Sequence, residues 1–151
     1  MRMTGRWYKT AAIVAGILSI MTVTACVVQT SPRALEKRVT AFWHARQAGM
    51  YTFTFNGKQV DLYNDFLSEK TKKQVTQQQY YGLMNLKVKN PRIDGIVYDK
   101  DGKKARVAME FDTTFQLAKL RGIKIKQTWI VEKGKWVLDD NPMHNPFRSR
   151  Q

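Results

Sequence analysis

Cysteine is almost absent from this chain. Its 151 residues include a single cysteine, Cys26, which excludes an intramolecular disulfide and a metal site built from several cysteines. The sequence also lacks a metal-ligand spacing, a nucleophile elbow and a phosphate-binding loop. We therefore predict no metal, no cofactor and no catalytic residue, and these absences favour a non-catalytic function over an enzymatic one.

Acidic residues are scarce as well. The chain has 12 acidic against 26 basic residues and a formal net charge of +14. The basic residues are dispersed and form no long unbroken run, which disfavours nucleic-acid binding. A basic surface of this kind favours attraction to an anionic membrane instead.

The first 26 residues have the pattern of a targeting segment. Arg2, Arg6 and Lys9 precede an uncharged apolar run over residues 11–23, as in a secretory signal. The run Val23-Thr24-Ala25-Cys26 then resembles the lipobox of bacterial lipoproteins, in which the thiol is acylated and the chain is cut before the cysteine. We therefore predict a lipoprotein signal peptide over residues 1–25, lipidation of Cys26 and a tether over residues 26–31.

The same segment also predicts a location. Residues 11–28 are near the lower length limit of a membrane-spanning helix, so an uncleaved anchor is the alternative. In both cases the positive flank predicts that the rest of the chain lies beyond the inner membrane. Residue 27 is valine rather than aspartate, which by resemblance to Gram-negative lipoproteins implies a lipid anchor in the outer membrane, with the protein facing the periplasm.

A helix is predicted to begin at Ser31-Pro32 and to end at Gly49. Its apolar stripe comprises Leu35, Val39, Phe42 and Trp43. His44 lies opposite this stripe and is expected to be exposed. Arg46 falls inside the apolar arc, so either its side chain reaches solvent at the helix end or it is a buried cation paired with an acid in a pocket.

The middle of the chain predicts smaller elements. Aromatic residues alternate with threonines over residues 51–55, and Asn56-Gly57 is typical of a hairpin turn. A short helix over residues 61–67 and a further helical turn over residues 71–75 follow. Thr76 and Gln79 fit a capping box at the start of the next helix. The last residues, 141–151, are predicted to be a loose tail.

Alternation of apolar and polar residues predicts four antiparallel strands between Arg92 and Asp139. Asn90-Pro91 is interpreted as a break before them, and residues 118–121 as the connection between the two long strands. Trp129 has the parity of the core face. Glu110 and Asp112 have the parity of the solvated face, close to the lysines of the next strand.

This order of elements resembles the nuclear transport factor 2-like superfamily over residues 32–140. The resemblance rests on residues 41–49, on Leu62-Tyr63-Asn64-Asp65-Phe66-Leu67-Ser68, on Gln79-Tyr80-Tyr81 and on residues 132–138. It implies an α+β fold in which helices pack on a curved four-stranded antiparallel sheet. Between the first two helices the chain departs from many relatives, because Met50 replaces an acid and residues 52–59 look inserted.

In such a fold the first helix and the inner sheet face enclose one space, which is either a filled core or a pocket for an apolar molecule with Arg46 at its mouth. The candidate ligand-binding residues are Arg46, Trp43, Phe111, Phe115 and Trp129. We expect an envelope lipoprotein domain that binds a partner protein or a small apolar ligand. The alternatives are a structural component of an envelope or secretion complex and an enzyme resembling isomerases or dehydratases.

Overall fold

The computed structural model describes residues 29–115 and 118–140, and over these residues the chain has an α+β fold. The predicted signal peptide, Cys26 and the predicted tail over residues 141–151 lie outside the described residues. The helices are α1 (Pro32–Ala48), α2 (Leu62–Phe66), α3 (Glu69–Gln74) and α4 (Gln77–Leu83). The strands are β1 (Thr52–Phe55), β2 (Lys58–Asp61), β3 (Val88–Tyr98), β4 (Lys104–Phe115), β5 (Ala118–Glu132) and β6 (Lys135–Leu138).

The four-stranded antiparallel sheet predicted from the alternation is confirmed. Its strand order is β3-β4-β5-β6, so each strand pairs with its neighbour in sequence. On the solvated face, Glu110 lies directly opposite Lys124 and forms salt bridges with it and with Arg92. The predicted hairpin turn at Asn56-Gly57 is also present and joins β1 to β2 in a separate two-stranded sheet.

The predicted limits of α1 agree with its caps. The Ser31 hydroxyl accepts a hydrogen bond from the backbone N–H of Ala34 at 3.2 Å. Gly49 ends the helix with φ of +68°, a left-handed conformation that glycine adopts without a steric penalty. The predicted apolar stripe of the helix is buried, and His44 is exposed as expected. Both ends of the helix are therefore determined by local sequence.

The core lies between α1 and the inner face of the sheet. Phe42 on α1 places its ring 6.1 Å from that of Phe66 and 5.9 Å from that of Trp129. Trp129 is fully buried, which confirms its predicted position on the core face. The buried Trp43 indole donates a hydrogen bond to Gln127 Oε1 at 3.0 Å. That bond satisfies two polar groups that would be costly to bury unpaired.

Two predicted connections are wrong. Residues 118–121 belong to β5, which begins at Ala118, so they do not form the connection between the long strands. A register shift near Gly122, with φ of +63°, lets this longer strand keep its pairing. Asn90-Pro91 lies within β3 instead of breaking it, because this is an edge strand that can accommodate proline at a register shift between Lys89 and Arg92.

The short helices begin at polar caps and are tied to the end of the sheet. The side chains of Asp61, Ser68 and Thr76 cap α2, α3 and α4, and the predicted capping box of Thr76 with Gln79 is present. The Ser68 hydroxyl also donates a hydrogen bond to Asp139 Oδ1 at 2.7 Å. Across residues 29–115 and 118–140 no helix is both long enough and apolar enough to span a membrane.

Candidate functional site

A groove lies between the C-terminal end of α1 and the segment that connects α4 to β3. Its volume is about 640 Å³, which is in the range of small-molecule sites. One wall consists of residues 46–51 with Leu62, and the other consists of residues 84–90. We call this feature the α1–β3 groove.

Arg46 is the most unusual side chain of the groove. Its guanidinium lies over the Trp43 ring, with Cζ 4.8 Å from the ring centroid, and its buried Nε has no hydrogen-bond partner among the described residues. Burial lowers the pKa of Arg46, and attraction to the Tyr80 phenol acts against that shift. Within the described part of the chain no carboxylate forms a salt bridge with Arg46, so the acid partner considered from sequence is not found there.

The rest of the lining is cationic and apolar. Lys87 and Lys89 are exposed, and none of the described residues that line the groove is an aspartate, glutamate, histidine or cysteine. The apolar lining residues are Met50, Tyr51, Leu62, Met84, Leu86 and Val88. A guanidinium packed on an aromatic ring, two further cations and an apolar wall are the features that bind an anionic group attached to an apolar body.

Two tyrosines pack against each other at the edge of the groove. Tyr51 at the groove stacks on Tyr81, with ring centroids 4.1 Å apart, and the Tyr81 hydroxyl donates a hydrogen bond to Asp61 Oδ2 at 2.6 Å. Tyr80 is buried beside them, and burial raises the pKa of its phenol. The wall made by Tyr51 is thus fixed through Tyr81 to the N-terminal cap of α2.

The predicted ligand-binding residues separate into two places. Arg46 lines the groove, whereas Trp43, Phe111 and Trp129 belong to the buried core. The ring centroids of Trp43 and Phe111 are only 5.1 Å apart. Trp43 does not line the groove itself but contacts Arg46, which does. The side chain of Phe115 lies outside what the structure describes, and ligand binding by these four aromatic residues stays a prediction.

Sequence reasoning missed a second buried arginine. Arg38 on α1 is 8% exposed, donates a hydrogen bond to the Asp65 carbonyl at 2.5 Å and lies 4.1 Å from the Phe66 ring centroid. Burial lowers its pKa from the ordinary value. A signal was present in the sequence, because Arg38 follows Leu35 by three residues and precedes Phe42 by four, at the edge of the apolar arc.

The lysines of the groove were also missed as members of a site. They alternate with apolar residues in Leu86-Lys87-Val88-Lys89, but nothing local in that run indicates that it faces the end of α1. Among the described residues, no group of three or more histidine, cysteine, aspartate or glutamate residues is placed to hold a metal ion. In comparisons with known proteins, no family model matches this chain and no curated protein matches it significantly.

Proposed function

We propose that this protein is a lipid-anchored envelope protein whose nuclear transport factor 2-like domain binds, without chemical turnover, a small ligand that has an anionic head and an apolar chain. The observation that carries the proposal is Arg46, a half-buried cation that lines the groove, lies over the Trp43 ring and forms no salt bridge with a described residue. Burying a cation without a counter-charge is costly. An anionic ligand would supply that counter-charge.

The head group is expected at the guanidinium. The ring of Trp43 holds the guanidinium plane from one side, which leaves its fork of donors available to a carboxylate or phosphate. Lys87 and Lys89 on the opposite wall add positive charge. The apolar chain would then lie against Met50, Tyr51, Met84 and Leu86.

Binding is favoured over catalysis by the lining itself. General acid–base chemistry most often uses histidine or a carboxylate with a shifted pKa, and neither residue type is among the described residues that line the groove. The anchor and the domain assignment have separate support. The run Val23-Thr24-Ala25-Cys26 supports the lipid anchor, and a long helix, short helices and a four-stranded antiparallel sheet support the domain assignment.

The ligand class can be tested with octyl phosphate and the full chain in nanodiscs of zwitterionic lipid, with empty discs as the blank. Trp43 lies directly under Arg46, so occupation of the head-group position is expected to change tryptophan emission saturably. If the emission change comes from Trp43, it should be absent in the Trp43→Phe variant. Inorganic phosphate and octanol, tested separately, should each bind much more weakly than the molecule that combines them.

The decisive variant is Arg46→Met, which keeps the length of the side chain and removes its charge. We expect it to raise the Kd for octyl phosphate by about 10-fold to 100-fold, which corresponds to losing a charge-assisted hydrogen bond. Arg33→Met is the matched control, because Arg33 is exposed at the opposite end of the same helix. Equal Kd values for Arg46→Met and the wild-type protein would contradict the proposed site.

The anchor has its own test. Radiolabelled fatty acid fed to expressing cells is expected to label the protein, and Cys26→Ala should abolish the labelling. An unprocessed N-terminus in the mature protein, or labelling that persists in Cys26→Ala, would refute lipidation. Neither result would alter the octyl phosphate measurement, so the two parts of the proposal fail separately.

A further inference from the structure

Exposed large apolar side chains are concentrated around the α1–β3 groove. In the described part of the chain they are Met50, Tyr51, Leu83 and Val97, at 46%, 38%, 48% and 68% exposure. Met50 and Tyr51 line the groove, and Leu83 immediately precedes Met84, which also lines it. We call Met50, Tyr51 and Leu83 together with Lys87 and Lys89 the groove rim. Two of these four exposed apolar side chains thus line the groove, and a third is adjacent in sequence to a lining residue.

The groove rim is also cationic. Neither Lys87 nor Lys89 forms a salt bridge within residues 29–115 and 118–140, and no carboxylate lines the groove beside them. Exposed apolar side chains interleaved with cations are typical of surfaces that enter the interfacial region of an anionic bilayer. Tyrosine is also enriched at that depth.

The start of α1 fixes where the anchor joins the domain. The Trp136 indole on β6 donates a hydrogen bond to the Thr30 carbonyl at 3.1 Å, so the chain enters α1 at a defined point of the sheet. Cys26 lies four residues before Thr30 and is at most about 14 Å away. Helix α1 then extends about 25 Å to the groove. A lipid on Cys26 and a groove rim in the bilayer surface are therefore compatible when α1 lies along the membrane.

We propose that the groove rim is a membrane-docking surface for anionic phospholipid and gives the anchored domain a second contact with its bilayer. The inference uses the lipid anchor of the proposed function to bring the rim near a membrane, but it does not require a ligand in the groove. Charge complementarity selects the bilayer as the occupant. A second protein surface is the competing occupant, and the test below separates the two.

Docking can be measured by labelling the rim of the full-length chain. Cys26 is the only cysteine and its thiol is blocked in the lipidated form, so Leu83→Cys supplies a single thiol for an environment-sensitive fluorophore. In vesicles that contain phosphatidylglycerol we expect a blue shift of the label and its quenching by lipids with a quencher on the acyl chain. Val97→Cys is the matched control, because Val97 is also apolar and exposed but lies on β3 away from the groove lining.

The charge requirement is tested by replacing Lys87 and Lys89 together with serine. Each well-placed cation favours the docked state about 5-fold, so the pair is expected to lower the ratio of docked to undocked protein about 30-fold. Lys100→Ser with Lys103→Ser is the control, because these lysines are also exposed but lie on the turn between β3 and β4. The control pair should leave the label spectrum unchanged.

Each outcome decides one point. No shift at residue 83, or an equal shift at residue 97, would overturn docking by the rim. An equal shift in purely zwitterionic vesicles would overturn recognition of anionic lipid. A shift that appears without vesicles and grows with protein concentration would identify a second copy of the chain as the occupant. The mass of the purified protein reports lipidation of Cys26 independently, so a missing anchor is not mistaken for a failure to dock.

Discussion

Two arginines on the same helix differ in burial and in surroundings, because Arg38 is buried and Arg46 is half-buried. Arg38 donates a hydrogen bond to the Asp65 carbonyl and lies over the Phe66 ring. Arg46 lies over the Trp43 ring but has no comparable acceptor among the described residues. Burial lowers the pKa of both.

The difference separates a structural cation from a candidate ligand-binding cation. The carbonyl acceptor and the aromatic ring compensate part of the desolvation of Arg38, so its burial has an explanation within the fold. Arg46 has the Trp43 ring and the attraction of the Tyr80 phenol but no hydrogen-bond acceptor among the described residues, and its side chain lines an open groove. Burial alone therefore does not indicate a binding site, because the buried Nε of each arginine has no hydrogen-bond partner in the described part of the chain; a cation without an acceptor at the wall of a groove is a candidate for one.

The largest expected effect concerns the core that both arginines border. Trp129 is fully buried and packs edge-on against Phe42 with ring centroids 5.9 Å apart. Trp129→Ala should lower the free energy of unfolding by about 3–5 kcal/mol, measured by urea denaturation followed by circular dichroism. An unchanged denaturation midpoint would show that the packing of α1 does not depend on this contact. The two arginines could then not be compared as residues of one helix fixed to the same core.

The next prediction addresses the two arginines directly. Arg38→Met removes a charged donor from the Asp65 carbonyl, and we expect a loss of about 1–2 kcal/mol of stability, because relief of desolvation offsets part of a bond of about 1.5–3 kcal/mol. Arg46 donates no hydrogen bond to a described acceptor, so Arg46→Met leaves no acceptor unpaired. The stability of this variant should therefore stay within about 1 kcal/mol of wild type. Urea titration of both variants measures the difference. Equal losses would show that Arg46 also has a structural role.

Alkaline pH offers a third measurement, because Tyr80 is the phenol that interacts electrostatically with Arg46. Burial raises its pKa above the ordinary value of 10.0, so above that pH the unfolded chain releases the phenolic proton while the folded chain retains it. The contribution of the Tyr80 phenol to the free energy of unfolding is therefore fully present below pH 10. Above pH 10 the free energy of unfolding falls by up to about 1.4 kcal/mol per pH unit. Tyr80→Phe should reduce this slope in urea titrations between pH 9 and pH 11.5.

Arg38 provides the control for that measurement. Its guanidinium is buried as well, but a guanidinium stays protonated throughout this pH range. Arg38→Met should therefore lower stability by a similar amount at every pH and leave the alkaline slope unchanged. If Arg38→Met reduced the slope as Tyr80→Phe does, the assignment of the slope to Tyr80 would be wrong.

Features determined by neighbouring residues could be read from the sequence. The caps of α1, the Asn56-Gly57 turn and the alternation along β4 and β5 each predicted an element that the structure contains. The anchor at Cys26 also rests on a local run, but that residue lies outside the described part of the chain. Arg46 was recognised as unusual because helical periodicity alone places it on the apolar side of α1.

Features that depend on distant partners could not be read in the same way. The acceptor of Arg38 is 27 residues away in sequence, and the acceptor of Trp43 is 84 residues away. Gln127 shares the parity of Ile125 and Trp129, so its burial was detectable, but its partner was not. The groove requires residues 46–51 to meet residues 84–90, and that meeting is a product of tertiary packing that no local pattern encodes.

The smallest expected effect is at His44, which lies on α1 between the two arginines. It is exposed, does not line the groove and projects from the opposite side of the helix to the apolar stripe. His44→Gln should therefore change stability by less than about 0.5 kcal/mol and leave the Kd for octyl phosphate unchanged. Because the substitution changes a polar side chain of α1 only two residues from Arg46, it tests whether the effect of Arg46→Met is specific to the groove. A weakened affinity in His44→Gln would indicate that binding responds to any change at this end of the helix, and the distinction drawn between Arg38 and Arg46 would then lose its basis.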